Sequence, residues 1–557
     1  MHPAQNASKL DSFGPKPEYN SGVTPTSITE SLAGGTFLQG SPSSIFTPED
    51  FSSDELLMIE TAEDFSRKEV LPIQDRLDTQ EEGLMRDLVT KAGALGFCGP
   101  DTREVYGGLG LSKNLSARML EFLSLNASFS VTIGITSGIS QVGLQLFATD
   151  ALRNKYLPSL TSGEQIGAYC LSEPNSGTDA LSMTTRAEEV NGKWILNGTK
   201  MWISNAKWAD QFLVMAKVGG TQVTAFLVER GFPGVSISRE EHKMGLKGSS
   251  TARVILEDAE IPLENQVYEL GRGHIVAFNS LNLGRFKLAS MSMGPAREAL
   301  GLAAQYAMDR KQFGQPIGHF GLIQKKIAEM AARFYAAESM IYRTGANIDQ
   351  AFESVVYGSP DEVKQNMQAA EEFSIECSMS KVFSTEAEAF IADEAVQVYG
   401  GYGFTEEFPV ARIYRDCRIS RIYEGTNEIN RFFIADRIMK KVNDGKVAVP
   451  TSGESYLHNL CIRGIQVAQQ AGKLDQIRQG ALADLAILHY AEQSARLRVR
   501  NNQMFDAAHK IFENWANAQA AYAFGLLTGE STTVPAPHVV DMGAVADTVY
   551  AKPGPLA

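Results

Sequence analysis

The feature that most constrains this chain is a hydrophobic period that changes twice. Before Glu164, apolar residues recur at spacings of three and four, as in GLMRDLVTKAGALGF and LSARMLEFLSLNASFSVTIGITSGISQVGLQLF, the repeat of helices packed by one face. From Ile166 the pattern becomes short β-branched or aromatic segments: IGAYCLSE, KWILNGTKMWIS, QFLVMAKV, TAFLVER and ARVILEDAEIP. Two Asn-Gly pairs in VNGKWILNGTK mark tight hairpin turns. At about Gly271 the helical period returns in segments long enough for an antiparallel bundle. The blocks predict a mostly α protein with a central β domain. A leader covers 1–46, an N-terminal helical domain 47–165, a β domain 166–265 and a helical bundle 266–443. A linker follows at 444–453, then a C-terminal helical extension and Pro-containing tail at 454–557.

Composition narrows the function. A chain of 557 residues carrying a net charge of −14 lacks the Lys/Arg surplus that nucleic acid or an anionic membrane surface requires. Its five cysteines are scattered without CxxC spacing, which argues against a disulfide framework and for a reducing compartment. The histidines form no HExxH or paired metal motif, so no metal site is expected. No apolar run is long enough to span a bilayer. The first 46 residues contain no arginine but include Asp11, Glu18 and Glu30; that is a poor presequence, so a cytoplasmic location and a mobile leader are expected.

The stretch RIYEGTNEINRFF (Arg421 to Phe433) poses the chemical question. Gly425 or Thr426 can cap a helix whose first turn holds Glu428. Glu424 is then either a solvated charge beside a cap or a carboxylate facing a pocket. Helix-start N–H groups also suit an anionic phosphate. There is no GxGxxG after a strand and no GxxxxGK[ST], so a nucleotide cofactor would use neither of those cradles. Five other stretches are polar and glycine-rich: YCLSEPNSGTD, MWISNA, MGLKGSSTA, DRKQFGQPI and QVYGGYGF. Each alone reads as a turn or a cap.

In this order the stretches resemble the acyl-CoA dehydrogenase family, from about Phe51 to Lys441, and the segment after Pro450 is similar to the very-long-chain branch. The resemblance implies a helical domain, a β-barrel and a four-helix bundle, with FAD between the last two. It implies removal of a proton from Cα of an acyl-CoA by Glu424 and loss of the β-hydrogen as hydride to the flavin, giving a trans-2-enoyl-CoA. Electrons would pass to an electron-transferring flavoprotein. It further implies that Tyr169, Leu171, Ser172, Trp202 and Ser204 meet the flavin. Arg310, Gln312, Phe313, Gln397, Gly400 and Gly401 would meet its nucleotide end across a subunit interface, in a homodimer or tetramer, and Thr426 and Asn427 its phosphates. Thr178, Asn282, Arg285, Tyr423 and Gly425 are implied as substrate contacts. Some relatives carry their base immediately before Arg285; here that position is Gly284.

Gly134, Ser137 and Gly138 lie where relatives form the pocket floor; small residues there leave room for a long chain or let helices pack closely. Arg496, Arg498 and Arg500 suit peripheral membrane contact or a solvated helix face. An acyl-CoA oxidase-type flavoenzyme, or an assembly protein with residual dehydrogenase activity, stands as the alternative reading.

Overall fold

The computed structural model describes residues 33–557 except 501, 553, 555 and 557. The N-terminal domain holds α1 (Ser53–Phe65), α2 (Gln74–Asp78), α3 (Leu84–Ala94), α4 (Lys113–Leu123), α5 (Ala127–Thr136), α6 (Ile139–Phe147) and α7 (Asp150–Thr161). Thr47 and Pro48 start only one 3-10 turn. Ser52 and Glu55 form the capping box that launches α1. The long pattern ending at Phe147 is three helices, because Asn126 accepts a hydrogen bond from the Phe129 N–H and restarts the helix, and Gly138 breaks it again.

The β domain contains β1 (Gly167–Cys170), β2 (Arg186–Val190), β3 (Lys193–Ser204), β4 (Gln211–Val218), β5 (Gln222–Glu229), β6 (Val235–Ile237), β7 (Thr251–Pro262) and β8 (Gln266–Val267). The sheet runs β6-β7-β3-β2-β4-β5-β8, with β1 parallel to β4. The expected barrel is not closed: its end strands β6 and β8 are three and two residues long and offer too few ladder bonds to meet. Six consecutive buried residues, Gln211 to Ala216, make β4 the core strand.

The bundle is built from α8 (Gly273–Asp309), α9 (Gly321–Glu353), α10 (Glu362–Glu372), α11 (Ser374–Tyr399), α12 (Pro409–Asp416) and α13 (Asn427–Asn443). A small hairpin, β9 (Lys311–Gln312) and β10 (Gln315–Pro316), joins α8 to α9. The long α8 packs against α11, α9, α4 and β5, so it links every layer.

The C-terminal extension comprises α14 (Tyr456–Ala471), α15 (Gln476–Arg498), α16 (Gln503–Thr528) and α17 (Met542–Ala551). The last helix replaces part of the expected tail. Asp541 caps it, and the Tyr550 hydroxyl donates to the Gly318 carbonyl at 3.1 Å, returning the chain to the bundle.

Two other expectations change. The proposed leader lies outside the described residues up to 32, but from Ala33 the chain packs as a strap. Phe37 and Leu38 are buried, and their carbonyls meet Nε2 of His489 and His458 at 3.1 and 3.0 Å. The three arginines at the end of α15 do not form a free basic face. Arg496 pairs with Glu492 and Glu454, Arg498 with Glu338 and Glu49, and Arg500 with Asp50. Among the described residues no helix is long and apolar enough to cross a membrane.

Candidate active site

Between α12 and α13 a 3-10 stretch, Cys417–Arg421, delivers the chain to Glu424. Glu424 and Gly425 both adopt left-handed backbone, with φ of 56° and 81°. For a glutamate that conformation costs about 1–3 kcal/mol, so surrounding contacts must impose it. Three buried side chains do so by binding the loop's carbonyls. Asn430 Nδ2 donates to the carbonyls of Gly425 and Thr426 at 2.8 and 3.1 Å. Lys381 Nζ donates to the Gly425 carbonyl at 2.9 Å and Asn427 Oδ1 at 2.6 Å. Arg285 Nε donates to the Glu424 carbonyl at 3.3 Å.

With its carbonyls turned into the bundle, the loop sends the Glu424 carboxylate toward α5 and α8. Its Oε2 is buried without a hydrogen-bond partner. A Cβ on Gly284 would lie 3.0 Å from that oxygen and 2.7 Å from Ile139 Cγ2, so α8 needs glycine there to admit the carboxylate. Glu424 and Tyr423 border a cavity walled by Val131, Gly134, Gly138, Leu288 and Met291. Burial pushes the Glu424 pKa up to about 7, against the opposing pull of the Arg285 and Lys381 charges. Gly134 and Gly138 serve both of the roles considered. They line this cavity, yet an added Cβ at Gly134 would meet Met291 Sδ at 2.8 Å and one at Gly138 the Gly134 carbonyl at 2.3 Å. Ser137 does not line it; its carbonyl accepts from Lys287 Nζ at 2.9 Å.

Several expected ligand contacts are turned to this loop instead. Arg285 is buried, donates to Asn282 Oδ1 at 3.1 Å, and lies 5.1 Å over the Phe433 ring. Its Nε and Nη1 are thus engaged within the protein. Asn427 is buried and spends its amide on Lys381, Thr385 and Glu386. The Thr426 hydroxyl caps α13 by accepting from the Ile429 N–H at 3.3 Å. The Asn427 amide is thus engaged within the bundle, whereas the Thr426 hydroxyl keeps its O–H donor for a ligand. Thr178 is exposed, in the turn beyond the Glu173–Ser176 bridge. Lys381 and Asn430 were not anticipated from sequence, although a lysine on the apolar stretch SMSKVFS was a signal.

A second group of predicted residues lies on the sheet beside the loop. Burial and the nearby Glu424 charge push the Tyr169 phenol up. Its hydroxyl donates to the Ala277 carbonyl at 3.3 Å. Buried Lys200 reaches Glu173 at 2.8 Å and the Leu171 carbonyl at 3.2 Å, and the Met201 N–H donates to the Ser172 carbonyl at 2.8 Å, tying Tyr169–Ser172 to β3. There β3 bulges between Lys200 and Ile203. The bulge turns Trp202 out with φ of 61° and leaves it 56% exposed. The hydroxyls of Ser172 and Ser204 make no hydrogen bond among the described residues. An open indole face with two free hydroxyls fits a flat, hydrogen-bonding cofactor such as FAD.

The third group is remote. Phe313, at the tip of the β9–β10 hairpin, has φ of 51° and is 95% exposed. Arg310 lies 5.7 Å from the Tyr402 ring, which brings the hairpin beside the end of α11, where Gln397 lies, and the following turn of Gly400 and Gly401. A Cβ on either glycine would meet nothing within 4 Å. Arg310 caps the end of α8, 25 residues beyond Arg285, which places it about 37 Å from Arg285 along the helix axis.

Comparison with known proteins agrees with this layout. Family models for the N-terminal, middle and C-terminal domains of acyl-CoA dehydrogenase match residues 52–164, 168–259 and 271–439. A probable acyl-CoA dehydrogenase of Bacillus subtilis (strain 168) is 43% identical over 418 residues, 75% of this chain and 70% of that protein. The human mitochondrial very long-chain specific acyl-CoA dehydrogenase is 41% identical over 373 residues, 65% of this chain and 54% of that protein. The chain thus spans about half the length of its mammalian relatives. The crystal structure of an acyl-CoA dehydrogenase complexed with FAD from Bacillus anthracis superimposes with a TM-score of 0.88 at 36% identity, covering 93% of this chain and 99% of that one. The chain belongs to the acyl-CoA dehydrogenase family.

Proposed function

We propose that this protein dehydrogenates a long-chain acyl-CoA between its α- and β-carbons, with Glu424 as the base, and passes the electrons to an electron-transferring flavoprotein. The observation that carries the reading is the Glu424 carboxylate. Its Oε2 is buried without a partner, and the residue borders an apolar cavity in a backbone conformation that three side chains enforce.

The α-hydrogen of a thioester is a very weak acid, and an ordinary glutamate is too weak a base for it. Burial that raises the Glu424 pKa to about 7 makes the carboxylate a stronger base while leaving much of it ionised near neutrality. Charge developing on the thioester oxygen needs donors. The Glu424 N–H makes no hydrogen bond among the described residues and is suited to that role. Arg285, Lys381 and Asn430 act as positioning residues, since they bind the carbonyls of the loop that carries Glu424. As the α-proton moves to Glu424, the β-hydrogen leaves with its electron pair and the Cα–Cβ double bond forms. FAD, when bound, supplies the acceptor for that hydride.

Tyr169, Leu171, Ser172, Trp202 and Ser204 would hold the flavin ring. Tyr169 is bonded near the start of α8, at Ala277, and the patch of Arg310, Gln312, Phe313, Gln397, Gly400 and Gly401 lies beyond its other end, so that patch would serve the cofactor of a neighbouring subunit in a homodimer. Thr178, on the exposed side, would contact the CoA moiety, and Tyr423 and Gly425 would shape the acyl wall.

The test is anaerobic flavin reduction with acyl-CoAs of increasing length. Reduction that strengthens toward long chains is expected; reduction confined to short ones removes the long-chain assignment. Rapid reoxidation of the reduced protein by O₂ would make it an oxidase instead.

A further inference from the structure

Three cavities lie end to end along α8. The one at Glu424 shares Val131, Leu288, Met291 and Tyr423 with a second. The second shares Ala127, Pro295 and Asp416 with a third, which reaches Glu298 and Arg412. Residues common to both, such as Tyr423 and Met291, thus stand between the space beside Glu424 and the deeper one.

The first two cavities differ in chemistry. Around the first, α5 and α8 supply mostly apolar walls. The second contains Ser292, Ser420, Glu388 and Asp416. Glu388 is 3% exposed and accepts from the Ser420 hydroxyl at 2.8 Å, and among the described residues no cation forms an ion pair with it. Asp416 is occupied in part, since its Oδ1 accepts from the Leu246 N–H at 2.6 Å. Burial pushes the Glu388 pKa up to about 8, so its carboxyl is largely neutral at pH 7 and can donate as well as accept. The Ser292 and Ser420 hydroxyls already donate within the protein, but Glu388 Oε1 and Asp416 Oδ2 accept no hydrogen bond among the described residues, and a plain hydrocarbon chain would leave these oxygens facing methylenes.

We propose that this second cavity is a polar subsite of the acyl tunnel, taking a hydroxyl or similar hydrogen-bonding group in the middle of the substrate's chain. Its depth sets the position. Gly284 abuts the Glu424 carboxylate and Ser292 lies eight residues further along α8, about 12 Å. An extended chain advances roughly 1.2 Å per bond, so the group lies about ten bonds beyond the reacting carbons. The third cavity gives the chain room to continue past it. The inference rests on the dehydrogenase reading of Glu424.

The experiment compares two acyl-CoAs of equal length, one plain and one with a hydroxyl about ten bonds from the reacting carbons. The readout is the ratio of their kcat/KM values for anaerobic flavin reduction. One well-made hydrogen bond predicts a preference for the hydroxylated chain on the order of 10-fold. Glu388→Gln, which keeps both hydrogen-bonding atoms, should retain the preference, and Glu388→Leu should reverse it. Should Glu388→Leu fail to fold, Ser420→Ala gives the same reading, with the ratio falling. Equal or faster reduction by the plain chain overturns the proposal, as does a ratio unmoved by Glu388→Leu or, in its place, Ser420→Ala. If neither thioester reduces the flavin, the dehydrogenase reading itself fails, a result distinct from reduction without preference.

Discussion

At Glu424 a strained backbone and an unpaired carboxylate oxygen meet in one residue, and both have measurable consequences. The base must be ionised, so the reduction rate should rise with pH through about 7. Stability should move the other way. The folded-state pKa lies above the ordinary 4.5, so the native state holds an extra proton between those values and the carboxylate destabilises the fold above them. Glu424→Gln should therefore raise unfolding free energy by about 1–3 kcal/mol at pH 8 and scarcely change it at pH 4, as read by urea titration. Glu424, Gly284 and Trp202 were legible in the sequence because their motifs carry them. Lys381 and Asn430 were not, because a side chain's partner across two helices is set by packing, which no local pattern records. Arg285 and Asn427 were visible, but their bonds within the bundle were not, since a sequence does not say which way a buried polar group faces.

The loop and its pins form the next scale. Lys381 is fully buried, and burial pushes its pKa down to about 7 despite the Glu424 charge. Lys381→Met would leave the Gly425 carbonyl short of a donor and Asn427 Oδ1 short of its closest one. The expected loss is about 2–3 kcal/mol of stability, with kcat reduced more than KM is changed, because the base is misaimed while the acyl wall remains. A loss confined to KM would contradict the positioning role. On β3, Trp202→Ala should weaken FAD binding in an equilibrium titration while leaving the fold intact, since the indole contributes little to the core. Element types were readable from period: blocks of three-and-four spacing became helices and alternating blocks became strands. The breaks at Asn126 and Gly138 and the open sheet edge were not readable, because they depend on one residue's backbone or on strands too short to show a pattern.

Across the whole molecule, buried charges fasten the C-terminal extension to the rest. Glu338 on α9 binds Arg118 of α4 at 2.5 Å, Arg297 of α8 at 2.9 Å and Arg498 of α15 at 2.9 Å. Arg498→Ala removes one arm of this cluster and leaves Glu49 without that partner. It should cost about 3–5 kcal/mol in chemical denaturation. The strap adds a pH dependence. His489 is stacked on His458 at 4.3 Å, and burial and the His458 charge hold its pKa down to about 3 from 6.5. The unfolded chain binds the proton in that interval and the native state does not, so stability should fall as pH drops from about 6.5 toward 3. His489→Gln should flatten that slope. The strap was hidden in a Ser/Gly/Pro-rich stretch, where two buried residues, Phe37 and Leu38, gave no periodic signal.

The central claim is that the carboxylate of Glu424 takes the α-proton. Its most direct measurement is the flavin absorbance of FAD-loaded wild-type and Glu424→Gln protein after anaerobic mixing with a long-chain acyl-CoA. The wild type should bleach, and the variant, with the same FAD content, should be slower by about 10²–10⁴-fold or show no bleaching. Bleaching of Glu424→Gln at the wild-type rate would contradict the account.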